Sequence, residues 1–113
     1  MARPKKDSAE YYVSMIKKII EGKKGEDIVT IDMKGFSFTD YFIIASGDSV
    51  IQLNAIADEI VIKLDEKGKS HCRREGKQDS KWILLDFGDI VVHLFEESVR
   101  KYFNLERLWY EKE

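Results

Sequence analysis

Lys81-Trp82-Ile83-Leu84-Leu85-Asp86-Phe87-Gly88-Asp89-Ile90-Val91-Val92-His93-Leu94-Phe95 is a pair of β-forming runs meeting at a Phe-Gly turn, with an aspartate on each side. Runs of Ile, Leu and Val on either side of a glycine turn read as a hairpin. A hairpin serving only a core would be plainer. Trp82, Asp86, Asp89 and His93 are costly residues to bury and useful ones for a docking surface. Two registers fit these letters. If Phe87-Gly88 is the loop, Asp86 faces Asp89, Leu84 faces Val91 and Trp82 faces His93, all on one face. Ile83, Leu85, Ile90 and Val92 are then left for the core. Phenylalanine is uncomfortable in the left-handed conformation that a type I′ turn demands. The alternative is a type I turn with Gly88 in a bulge, pairing Leu85 with Asp89 and separating Trp82 from His93. The sequence leaves both registers open.

Upstream, Asp7 offers an N-cap with Glu10 three positions on, the reciprocal pattern of a capping box. Tyr12, Val13, Ile16, Ile19 and Ile20 follow at helical spacing until Gly22. Asp27 to Met33 alternates as a strand does, and Phe36 to Asp40 is an aromatic connection without a clear form. Tyr41 to Ala45 is a continuous apolar run, expected of a strand covered on both faces. Ser46-Gly47-Asp48-Ser49 leads into the most secure helix, with Ser49 and Gln52 as a second capping pair. Its stripe of Val50, Leu53, Ile56, Ala57, Ile60, Val61 and Leu64 ends before Gly68. His71 to Arg74 reads as a short exposed strand. Glu96 to Trp109 reads as one broken helix or two short ones. The order α-β-β-α-β-β-β-α predicts a mixed α/β fold: one domain over residues 7–113, a sheet of about five strands flanked by helices, and a flexible tail at residues 1–6.

The 113 residues suffice for one self-supporting core. A net charge of −2 argues against broad binding to nucleic acid, which needs a concentrated basic face. One cysteine, Cys72, allows no internal disulfide and suits a reducing compartment. There is no apolar run of membrane-spanning length and no secretory signal pattern, so a cytoplasmic location is expected.

The catalytic inventory is thin. Ser46 to Ser49 lies where backbone amides and a helix dipole can hold an anion, yet a plain helix cap explains it better. A nucleotidyltransferase needs carboxylates at adjacent same-face positions to hold magnesium. The nearest acid pair, Asp86 and Asp89, instead flanks a turn. His71 and Cys72 are adjacent, with no second Cys or His at zinc-ligand spacing. In the first hairpin register, two like charges directly opposite would cost up to about 1 kcal/mol. That cost beside an aromatic and an imidazole fits a face reserved for a basic partner. It fits equally an exposed turn with solvated acids and a half-buried tryptophan.

Thr39-Asp40-Tyr41-Phe42-Ile43-Ile44-Ala45-Ser46-Gly47, Ile56-Ala57-Asp58-Glu59-Ile60, Glu75-Gly76, the hairpin, and Tyr102-Phe103-Asn104-Leu105-Glu106-Arg107-Leu108-Trp109 closely resemble the Iojap family, the bacterial ribosomal silencing factors. The match runs in order from about Asp7 to Trp109. The resemblance implies a nucleotidyltransferase-like fold without transferase activity and without a cofactor. It implies a partner, ribosomal protein number fourteen of the large subunit, and a steric block of subunit joining that represses translation. Carried over by position, the partner-binding residues are Trp82, Asp86, Asp89, Val91 and His93, with Glu75 and Tyr102 as neighbours. His71-Cys72-Arg73-Arg74 falls where the family varies and is assigned no role. Lacking a transit peptide, the chain resembles the bacterial rather than the organellar form. The rival readings are a magnesium-dependent nucleotidyltransferase using Asp86 and Asp89, and a homodimer formed through the Trp82 face.

Overall fold

The computed structural model of the chain describes residues 8–103, with side chains to Lys101. The expectations for residues 1–6, for Asp7 and for the chain beyond Phe103 lie outside the described residues. The elements are α1 (Ala9–Gly22), β1 (Glu26–Asp32), β2 (Tyr41–Gly47), α2 (Val50–Glu66), β3 (Arg73–Glu75), β4 (Trp82–Asp86), β5 (Ile90–Glu96) and α3 (Glu97–Phe103). The expected order holds, and the strands form one five-stranded sheet, β1-β2-β5-β4-β3. Only the central pair, β2 with β5, is parallel; the other neighbours are antiparallel.

Helix α1 is capped one residue later than the Asp7–Glu10 pattern suggests: the Ser8 hydroxyl accepts from the Tyr11 amide at 3.2 Å. Helix α2 begins as expected, with the Ser49 hydroxyl accepting from the Gln52 amide at 3.1 Å. Gln52 reaches back to the Asp48 amide rather than that of Ser49, and its Nε2 donates to the carbonyls of Lys23 and Lys24. One side chain therefore ties the end of α1 to the start of α2.

Both helices cover one face of the sheet. Ile16 and Ile20 of α1, and Leu53, Ile56, Ile60 and Leu64 of α2, pack on Ile43, Ala45, Ile83, Leu85, Ile90, Val92 and Leu94. The apolar run in β2 has the cause read for it, because the opposite face is covered too. There Ile31, Met33, Ile44 and Phe95 are buried, with Val29, Phe42, Trp82 and Val99 of α3 packed against them. β2 runs two residues beyond the expected Ala45, since Ser46 and Gly47 still pair with Phe95 and Glu96.

The hairpin takes neither expected register. Trp82 pairs with Phe95, Leu84 with His93 and Asp86 with Val91, and the Phe87 amide donates to the Ile90 carbonyl at 2.9 Å. The loop is therefore Gly88-Asp89, and Gly88 takes φ +91° at its first position. A type II′ turn needs positive φ at that residue, which glycine supplies without strain and phenylalanine does not. The slip from the first register is two residues on one strand. Side chains alternate with period two, so every residue paired in the two strands keeps its face, while Asp89 in the loop is released from the alternation. Ile83, Leu85, Ile90 and Val92 are core as expected, but Asp86 does not face Asp89.

Gly76 holds β3 against the start of β4. It has φ +105°, and a Cβ there would lie 2.6 Å from the Trp82 carbonyl oxygen. Gly76→Ala combines left-handed strain with a backbone collision and should cost about 2 kcal/mol or more. A thermal melt reads this as a drop of roughly 10 °C; an unchanged midpoint would show that the turn relaxes freely.

Candidate partner-binding face

The face opposite the long helices is built from cross-strand rows. The row nearest the hairpin turn runs Arg73, Asp86, Val91, Phe42, Ile31. The next runs Glu75, Leu84, His93, Ile44, Val29, and a third joins Trp82 to Phe95 and Ser46. Strand alternation alone puts these residues together. β3, carrying Arg73 and Glu75, is an edge strand. Both side chains are exposed, and they bond each other at 2.9 Å.

Trp82 and His93 meet, although not as a direct pair. They sit diagonally across β4 and β5, and the indole Nε1–H donates to His93 Nδ1 at 3.3 Å. An indole nitrogen only donates, so Nδ1 must be the acceptor and the imidazole proton rests on Nε2. The Trp82 ring also stacks on Phe95, with centroids 5.0 Å apart, while Phe42 meets His93 edge-on at 4.9 Å. His93 is 5% exposed. Its Nε2 is buried without a hydrogen-bond partner among the described residues. Burial pushes its pKa down from 6.5 to about 4, so the ring is neutral. His93 therefore belongs to the interior of an aromatic layer and is not a surface contact. Trp82, Leu84, Asp86, Val91 and Phe42 are half-buried around it.

The two aspartates part company. Asp86 shares the Trp82 face, and its Oδ1 accepts from the Gly88 amide at 2.8 Å. Asp89 lies in the turn, bound to Lys69 Nζ at 2.9 Å. That ammonium also rests over the Tyr12 ring in the helix-side core, 4.8 Å from its centroid. The Asp89 carboxylate therefore turns toward the helices, while its backbone carbonyl accepts from the amides of Asp40 and Tyr41. The two carboxylates do not form the same-face pair that a two-metal transferase site requires. Tyr102 falls in α3, with its side chain outside the described residues. The first register already placed Leu84 on this face, but Phe42 and Phe95 were not read as part of it; the apolar run of β2 was the signal that a second face had to be filled.

A family model described as "Ribosomal silencing factor during starvation" matches residues 5–113. The chain belongs to the ribosomal silencing factor family. The "Ribosomal silencing factor RsfS" of Bacillus subtilis is 46% identical over 90 residues, covering 79% of this chain and 76% of that protein. A Chromobacterium violaceum protein solved by crystallography superposes with a TM-score of 0.86 at 31% identity, covering 94% of this chain and 89% of the other. A mouse relative named "Mitochondrial assembly of ribosomal large subunit protein 1" is 30% identical over 105 residues, 89% of this chain and 46% of that longer protein. The mixed sheet of this chain, with its helices, is thus the fold of solved relatives. No helix among the described residues is long and apolar enough to cross a membrane.

Proposed function

We propose that this chain binds the large ribosomal subunit, through ribosomal protein number fourteen, and prevents the small subunit from joining it by occupying the shared surface. Translation falls because subunits are kept apart, with no bond made or broken and no cofactor used. A bacterial cytoplasm is the setting this implies. Family membership is the observation that carries the reading, and the mouse relative's name supports the large subunit as the partner. The face around Trp82 supports the site. Half-buried Trp82, Leu84, Val91 and Phe42 form an apolar centre, with Asp86 as a carboxylate at its margin. An aromatic anchor inside a polar rim is the usual anatomy of a tight interface. Glu75 at the sheet edge flanks it, and Tyr102 is a further contact carried over from the family resemblance; Asp89 orients the turn, and His93 orients Trp82. The divergence of Asp86 and Asp89 weakens the rival transferase reading.

Asp86→Lys tests the electrostatic part. Reversing a margin charge that faces a basic partner should cut affinity for purified large subunits by about tenfold and weaken the salt dependence of association. The fold should survive, since the Asp86 carboxylate is half-buried and its hydrogen bond among the described residues is to the Gly88 amide of its own turn. Co-sedimentation of folded Asp86→Lys at the parental level would remove this carboxylate from the interface.

A further inference from the structure

The loop between β1 and β2 carries Phe36, 65% exposed, and Phe38, fully exposed. Single apolar side chains at a surface are ordinary, but two aromatic rings on one short loop are not. This loop is also held in shape. Its base is closed by the Met33 amide on the Asp40 carbonyl at 2.7 Å. The Phe36 amide donates to the Met33 carbonyl at 3.0 Å across Gly35, whose φ of +88° suits the third position of a type II turn. The Thr39 amide donates to the Ser37 hydroxyl, and Thr39 itself is buried. The amides of Asp40 and Tyr41 donate to the Asp89 carbonyl, which fastens the loop to the hairpin turn. The rings therefore project from a framework tied down at both ends.

Charge says what they face. The same end of the sheet gathers Glu10, Asp32, Asp40, Asp86 and Asp89. Lys34 is engaged by Glu10 and Asp32, Lys69 by Asp89, and Arg73, opposite Asp86 in the row at this end, by Glu75. Asp40 and Asp86 join no ion pair among the described residues, so carboxylates are in excess around the rings. An anionic lipid surface would be repelled by them. A second copy meeting this end by two-fold symmetry would set like charges against each other.

We infer that Phe36 and Phe38 form a second anchor for a basic protein surface containing an apolar recess, continuous with the Trp82 face through the row of Asp86, Val91 and Phe42. This rests on the docking reading above and extends it from the sheet face to the end of the sheet. Two rings held in place lose little conformational freedom on docking, so they are effective anchors.

The test is the double variant Phe36→Ser/Phe38→Ser. Its melting midpoint should match the parent, because the rings are largely outside the core. Its affinity for purified large ribosomal subunits should fall at least about tenfold, with Phe36→Leu/Phe38→Leu restoring much of the loss. If the parent binds and the serine variant binds equally well, the second anchor is refuted while the docking reading stands. If the parent itself does not bind, both fall. A serine variant that keeps subunit binding but loses retention on phosphatidylglycerol-containing vesicles, or loses parental dimerisation in sedimentation, would assign the rings to lipid or to a second copy and overturn the inference.

Discussion

Acidification from pH 6.5 to 4 is expected to cost this domain about 3 kcal/mol of stability through His93 alone. The folded chain holds this imidazole neutral, with a pKa of about 4 against the usual 6.5, because it is buried. Between those values the unfolded chain binds a proton that the folded chain refuses, so stability rises with pH across the interval. The full contribution is present above 6.5 and is lost by about pH 4. Protonation also removes the lone pair on Nδ1 that accepts from Trp82, so the aromatic layer loses its one internal hydrogen bond between these rings. Glu10 and Glu96 are held below the ordinary carboxylate value, so their loss begins at lower pH. Tyr41 and Ser98 are the respective main causes. Denaturant melts at half-unit intervals measure the slope. His93→Phe keeps an aromatic ring in the layer and should flatten the curve between pH 6.5 and 4.5. A parent that is equally stable at pH 6.5 and 4.5, or a variant as acid-sensitive as the parent, would show that His93 is not the titrating group.

Trp82→Ala should weaken binding to large subunits by about 2 kcal/mol or more, roughly thirtyfold in dissociation constant. The ring is half-buried, stacked on Phe95 and bonded to His93, so truncation also removes packing from the fold. Binding is therefore to be compared at a temperature where circular dichroism shows the variant folded. Trp82→Phe separates the two roles. It retains the stack on Phe95 and an anchor of similar shape but loses the N–H donor, so its binding should stay within a few-fold of the parent. Parental affinity in folded Trp82→Ala would move the interface off this face.

The long helices, the five strands and their order were legible because hydrophobic periodicity in this chain is strong and the caps are ordinary. Ser49 with Gln52 marked the start of α2 correctly, and the apolar run from Tyr41 marked a strand covered twice. The hairpin register was not legible. A two-residue loop at Phe87-Gly88 would need positive φ at phenylalanine, whereas the chain shifts the loop so that Gly88 comes first. The slip is two residues, so Trp82, Leu84, Asp86, Val91 and His93 keep the face read for them. Asp89 was misplaced for the same reason: as a turn residue it escapes strand alternation and is drawn to Lys69, a contact between parts of the chain that no local pattern reports. His93 read as a surface residue because alternation gives a face, not its cover. Its burial depends on Trp82, Phe42 and Phe95 closing around it, and Val99 of α3 adds to the same layer. The exposed rings of Phe36 and Phe38 sit in a connection whose form depends on its own turn bonds together with long-range bonds to the Asp89 carbonyl.

The most direct measurement mixes purified large and small ribosomal subunits with increasing amounts of this chain and follows their joining by light scattering. Joining should fall in proportion to occupancy of the large subunit and reach a low plateau, with folded Trp82→Ala requiring far more protein for the same effect. Subunits that join at an undiminished rate while the large subunit is saturated with the chain would contradict the steric block outright.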